Sequence, residues 1–346
     1  MEEERKILFF LEQIPQSGFL VKDNRILSVN QAAAAMLLSP GQDFLPLLLT
    51  GSEEYAILQE GSLCLALSVG GISHDAVITR MEDFDLVILD QQEDPEEFRS
   101  MALVSMELRT PLMQAIHAAQ QLETENPAAA KMNQSLMQML RMVSNMADIS
   151  RYTASSRMEV RDVDALLLEL FEKAQVLLEG TTKIIFEGMK QPVFSRIDSE
   201  QLERAVWNIL SNCVKFMPKG GRIHAKLTRQ GRMLRLTIED SGSGIAEQVR
   251  NTLFQRYLRQ PGIEDSRYGL GLGLAIVRIA AANHGGTVLI GSSREGGTRI
   301  TLTMAIRQEE DTLLRSPLLR PDYTGGFDHG LVELSDCLSS EFYQNL

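Results

Sequence analysis

Glu107 and Thr110 lie three residues apart in the stretch Ser105-Met106-Glu107-Leu108-Arg109-Thr110-Pro111-Leu112, which sits in a long helical pattern. A helix sets them side by side on one surface. Pro111 donates no backbone hydrogen bond to the carbonyl of Glu107, and a proline inside a helix kinks or breaks it at a cost of roughly 3 kcal/mol. A carboxylate and a hydroxyl beside a freed carbonyl make a polar notch.

Three further groups of residues have the types and spacing for nucleotide chemistry. Asn208 and Asn212 are four apart and Lys215 three further on, so one helix face carries all three, while Leu202, Val206, Ile209, Leu210 and Cys213 supply its buried side. Amide oxygens beside a lysine suit Mg²⁺ carrying a triphosphate, since Mg²⁺ takes oxygen ligands and borrows most of them from water and phosphate. For Asn208 a bond to the backbone is the plainer alternative; for Asn212 the spacing to Lys215 favours a ligand role. Leu234, Leu236 and Ile238 alternate with Arg235, Thr237 and Glu239, so Asp240 arrives at a strand tip, followed by Gly242 and Gly244. A carboxylate there can accept the exocyclic amine of adenine, with glycines letting the backbone approach. Finally, Gly269, Gly271 and Gly273 alternate with Leu270, Leu272 and Leu274 at the start of a helical pattern, where free N–H groups and the helix dipole favour phosphate. Between the last two groups, Leu253 to Tyr257 and the polar stretch 259–268 read as a lid.

Seven of the eight residues from Ser105 to Leu112 match the phosphoacceptor motif Ser-His-Glu-Leu-Arg-Thr-Pro-Leu of two-component sensor histidine kinases, which this stretch resembles. Met106 stands where that family carries its histidine, and a thioether has no nucleophilic nitrogen or exchangeable proton. The Asn-rich helix, Asp-x-Gly-x-Gly, the Phe-containing segment, the alternating glycines and Gly297-Thr298 resemble, in order, the boxes of the same family's ATP-binding domain. The resemblance implies a Bergerat (GHKL) α/β sandwich in which Asn212 is the magnesium ligand, Asp240 the adenine contact, and Gly271 and Gly273 the phosphate loop. Asn208, Lys215, Gly242, Gly244, Gly269, Leu272, Leu274 and Thr298 complete the expected ATP site.

The elements that must position these groups suggest a multidomain α+β chain. Residues 1–92 show a hairpin, Gly18–Lys22 and Arg25–Val29 around Asp23-Asn24, then an Ala-rich helix at 31–38 and strands at 62–69, 76–80 and 85–89. This order resembles a PAS sensor domain. Within it, Cys64 and His74 read as ordinary core or surface residues rather than cofactor ligands. Residues 93–156 read as an antiparallel helical hairpin. Asp94-Pro95-Glu96-Glu97 starts its first helix, and Met132, Leu136, Met139, Val143, Met146 and Ile149 form an apolar seam on the second. Two such helices bury their seams by dimerising into a four-helix bundle, as the family does. Residues 157–307 hold the ATPase domain. In the tail, 308–346, Leu331, Leu334, Leu338 and Phe342 can form one face of a short helix.

With 346 residues and 44% hydrophobic content the chain can fill two or three cores, and a formal charge of −12 argues against a nucleic-acid partner. No apolar run approaches the ~18 residues of a membrane span, and three scattered cysteines suggest neither disulfide nor metal site. A cytoplasmic protein is expected, pairing as a homodimer or heterodimer through the hairpin and meeting a response-regulator receiver domain. An ATP site without its acceptor leaves several readings open: phosphorylation of a partner's histidine, a response-regulator phosphatase using Glu107 and Thr110, an ATP-responsive scaffold, and, last, an anti-sigma-type serine kinase. A relocated acceptor at His117 lies about 20° from Met106 around the helix and roughly 16 Å along it.

Overall fold

The computed structural model describes residues 11–12, 14–89, 95–120, 127–154, 157–245, 272–293, 295–307 and 323–344. In the first part, β1 (Gly18–Lys22) and β2 (Arg25–Val29) join through Asp23 and Asn24. Both turn residues have positive φ, the requirement of a two-residue turn that matches strand twist. Helix α1 (Gln31–Ala35) is capped by Asn30, whose Oδ1 accepts from Ala33 N at 2.9 Å and from Gly18 N at 3.1 Å. It stops before the expected residue 38, because Leu37 turns to positive φ. After α2 (Ser52–Ile57) come β3 (Gly61–Val69), β4 (Ile72–Arg80) and β5 (Asp85–Leu89).

Two long helices follow, α3 (Pro95–Gln120) and α4 (Pro127–Ala154). Helix α3 continues through Pro111 without interruption. Solvent exposure of Glu107 lets water serve the carbonyl that the proline leaves without a donor. The remainder comprises β6 (Glu159–Asp162), α5 (Val163–Leu177), β7 (Lys183–Glu187), β8 (Phe194–Ile197), α6 (Ser199–Phe216), β9 (Arg222–Gln230), β10 (Met233–Asp240), α7 (Gly273–Asn283), β11 (Val288–Ser292), β12 (Thr298–Ala305) and α8 (His329–Glu333). A 3₁₀ turn at Ser340–Tyr343 ends the described tail.

Ten strands make one mixed sheet in the order β2-β1-β5-β4-β3-β11-β12-β10-β9-β7; β6 and β8 pair separately. Among the described strands of the large sheet, only β7 and β9 run parallel. The two halves join where β3 meets β11, with Cys64 opposite Val288. Gly61 permits this approach: at its φ of +96° a Cβ would lie 2.1 Å from the carbonyl oxygen of Ile290. The first half keeps its own core around Phe19, Phe44 and Leu67. A second apolar cluster runs from Leu112 and Ile116 of α3 through Leu140 of α4 and Trp207 of α6 to Val332, Leu334, Leu338 and Tyr343 of the tail. Hairpin, ATPase-like half and tail therefore share one core.

Helix α6 starts where Asp198 accepts from Gln201 N at 3.1 Å. The backbone N–H of Asp198 donates in turn to Nε2 of His284, at 3.0 Å, and Nδ1 of that ring lies 2.6 Å from the carbonyl of Ala280. Burial holds the imidazole below its ordinary value of 6.5. The unfolded chain thus binds a proton near pH 6.5 that the folded chain refuses until lower pH, so this site's stability is complete above 6.5 and lost as pH falls. Urea midpoints should drop between about pH 7.5 and about pH 5.5, with a shallower slope in His284→Gln. Equal slopes would remove His284 from the account.

Candidate nucleotide site

Asp240 sits buried at the tip of β10, as the alternation of that strand requires: Leu234, Leu236 and Ile238 point into the core. Its Oδ1 accepts from Gly242 N at 2.8 Å and from Thr298 N at 3.0 Å, and its carbonyl accepts from Ser293 Oγ at 3.0 Å. These bonds tie the turn after β10 to the start of β12. Glycine is required around it. A Cβ on Gly242 would lie 2.9 Å from the carbonyl oxygen of Phe216, and one on Gly297 2.1 Å from that of Asp240. The Cys213 thiol of α6 faces the same carboxylate; burial first, and then the charge and hydrogen bonding of Asp240, raise its pKa well above the usual value. The end of α6 and the Asp240 turn are thus one wall.

Asn208, Asn212 and Lys215 share a face of α6, as their spacing predicts, but their surroundings differ. Asn208 is buried: its Nδ2 donates to the carbonyl of Arg204 at 2.9 Å, and its Oδ1 accepts from Arg141 Nη2 at 3.3 Å. The plainer backbone-bonded alternative thus describes part of its role. Its Oδ1 also lies 2.8 Å from where a Cβ on Gly273 would stand, so the first residue of α7 abuts the amide-bearing helix. Asn212 is half-buried and makes no side-chain hydrogen bond among the described residues. Lys215 Nζ donates to Asp336 Oδ2 at 2.6 Å. Leu272 is buried beside Ile149, Ile276 and Ile279, and Leu274 is partly buried against the main core. Gly269, Gly271, the segment 253–257 and the lid 259–268 lie outside the described residues.

Met106, Glu107 and Thr110 are exposed on α3, and no hydrogen bond or ion pair joins them to Asn208, Asn212, Lys215 or Asp240 among the described residues. Met106 is 67% exposed, so within a single chain it is surface and not core. Met132 and Met139 of the expected seam are also exposed, whereas Leu136, Val143 and Ile149 are buried. His117 is exposed, with Nδ1 3.2 Å from Gln120 Oε1.

Sequence reasoning missed the ionic cluster behind α6. The guanidinium of Arg204, fully buried, reaches Asp148 through Nε at 2.7 Å, Asn145 through Nη2 at 2.7 Å and Glu333 through Nη1. Arg141 donates to Glu333 at 3.2 Å and to Asp336 at 2.8 Å. A signal was present on α4: Gln134, Gln138, Arg141, Asn145 and Asp148 recur at intervals of four and three, a polar stripe beside the apolar one.

The sequence profile described as histidine kinase-, DNA gyrase B-, and HSP90-like ATPase matches residues 197–308, the span that holds α6, the Asp240 turn and α7. The sensor-like histidine kinase R01002 of Rhizobium meliloti is 29% identical over 272 residues, covering 69% of this chain and 50% of that protein. The sensor-like histidine kinase SenX3 of Mycolicibacterium smegmatis is 28% identical over 249 residues, covering 66% of this chain and 63% of that protein. Residues 197–308 thus carry a histidine kinase-like ATPase domain, and the chain around it is similar to sensor histidine kinases. It spans half to just under two thirds of the length of these two kinases. Full-length ShkA, solved in complex with AMPPNP, shares the fold with a TM-score of 0.51 at 22% identity, over 63% of this chain and 47% of that one. The architecture is mixed α+β with a large sheet and a GHKL-type ATPase domain, and no helix among the described residues is long and apolar enough to cross a membrane.

Proposed function

We propose that this chain is a cytoplasmic two-component signalling protein that binds ATP with Mg²⁺ and has lost self-phosphorylation at the usual position, Met106. One observation carries the reading: Asp240 is held at a strand tip inside a cradle where Gly242 and Gly297 leave no Cβ. Its carboxylate keeps acceptor capacity beyond the two backbone bonds it already takes. That capacity suits the exocyclic amine of adenine. The open amide of Asn212 fits a magnesium ligand, and Gly273, first residue of α7, offers its end of the helix to phosphate. Bound magnesium would offset the charge of the triphosphate. The protein's own part is to orient the nucleotide through Asp240 and to hold its phosphates beside Asn212 and Lys215.

Large apolar side chains at Leu103, Val104 and Leu108 of α3 and Met132, Met139 and Met142 of α4 are exposed in the single chain, which supports a dimeric four-helix bundle, homomeric or heteromeric. The antiparallel strands β2-β1-β5-β4-β3 with α1 after β2 support a PAS-like sensor. The function we favour is phosphorylation of a partner kinase's histidine or action on a response-regulator receiver domain. Glu107 and Thr110, exposed one turn apart, favour the phosphatase alternative on the same regulator.

Calorimetric titration of Mg·ATP into the native chain and Asp240→Asn tests the reading. The amide keeps an acceptor for Gly242 and Thr298 but offers a donor to the adenine amine. Affinity should fall at least about tenfold, from the ~1.5–3 kcal/mol of a hydrogen bond to a charged group. Equal affinity, or none in the native chain, would overturn it.

A further inference from the structure

The tail, residues 323–343, lies across both functional halves. Its first part runs along α3: Arg109 donates to the carbonyl of Tyr323 at 2.7 Å, a Cβ on Gly325 would lie 3.0 Å from Met113, and the Phe327 ring is 6.4 Å from that of His117. Arg109 and Met113 are three and seven residues beyond Met106, so the tail follows the helix face that starts at the acceptor position. Its second part crosses α6. Glu333, fully buried, binds Arg204 and Arg141, and Cys337 approaches Ser211 at 3.7 Å. Asp336 Oδ2 accepts from Lys215 at 2.6 Å and Arg141 at 2.8 Å. Its third part returns to α4, where Asn133 donates to the carbonyl of Tyr343 at 3.0 Å and Gln134 to those of Ser335 and Leu338.

Two of these contacts matter most. Lys215 belongs to the nucleotide face of α6, and a carboxylate between a lysine and an arginine occupies the electrostatic position of a phosphate oxygen. The same segment also bolts α6 to the helix carrying the acceptor position, so neither can move against the other while it is docked.

We propose that residues 323–343 form an autoinhibitory strap whose Asp336 stands in for a nucleotide phosphate, so that Mg·ATP and the docked tail exclude one another. This rests on the ATP site proposed above. A triphosphate carries more negative charge than one carboxylate and draws Lys215 and Arg141 away from Asp336. The freed tail then uncovers α3 beside Met106.

Two variants of the full chain test it. Asp336→Asn removes the phosphate mimic, and Tyr343→Ala loosens the strap's far anchor without touching a charge. Affinity for a fluorescent ATP analogue with Mg²⁺ should rise about tenfold in both, and saturating Mg·ATP should raise amide hydrogen exchange across 323–343 in the native chain, as expected for opening of a docked segment. Nucleotide binding that is unchanged in both variants, with the tail equally protected, would overturn the strap and leave the ATP site standing. Absence of nucleotide binding in all three proteins would overturn both.

Discussion

Replacing Arg204 by methionine should destabilise the folded chain by about 3–5 kcal/mol, the cost of leaving buried charges without their partner. Arg204 has no exposed side-chain surface, and neither has Glu333; Asp148 is nearly as buried. Around them Arg141, Arg204 and Lys215 supply three positive charges against three negative ones from Asp148, Glu333 and Asp336. Removing one guanidinium leaves the cluster a net negative charge where water does not reach. Lysine should recover little, because its ammonium cannot reproduce the fork that serves Asp148, Asn145 and Glu333 from three nitrogens. Urea unfolding of native, Arg204→Met and Arg204→Lys proteins measures this, with the variants also exposing the tail to protease. A loss under about 1 kcal/mol for Arg204→Met, the range of a surface pair, would show that the cluster is solvated.

Met106→His should convert the chain from one that takes no label from γ-labelled ATP into one that carries an acid-labile, base-stable phosphoryl group. The reasoning is chemical: imidazole supplies the nucleophilic nitrogen that a thioether lacks, at a side chain already 67% exposed with Glu107 beside it. Label should rise further when Asp336→Asn is added, because a docked tail holds α6 against the hairpin. Acid-labile label on the unmodified chain would contradict the loss of self-phosphorylation and direct attention to His117. Absence of label on every variant, with ATP still bound, would favour the phosphatase or scaffold reading.

The parts of this protein that were legible from residues alone obey local rules. Asp23-Asn24 takes the left-handed turn, Asp198 caps α6, and the alternation from Leu234 to Ile238 delivers Asp240 to a strand tip. Each depends on periods of two or 3.6 residues and on side chains that bond their own backbone nearby. The tail was only half legible for the same reason. Leu331, Leu334, Leu338 and Phe342 share a face only if one helix runs throughout, yet α8 ends at Glu333 and the chain is extended at Ser339. Phe342 is therefore exposed and Tyr343 buried in its place.

By itself the sequence determined the likeness to sensor histidine kinases, the three groups of candidate nucleotide residues and the methionine at position 106, since motif spacing and side-chain chemistry are local properties. Only the tertiary structure decided that β3 joins β11, that a polar stripe on α4 holds the tail, and that Lys215 faces Asp336. Those pairings link residues more than a hundred positions apart. Charges of either sign are common along this chain, and nothing local in a carboxylate says which cation will close on it; burial and chain geometry make that choice.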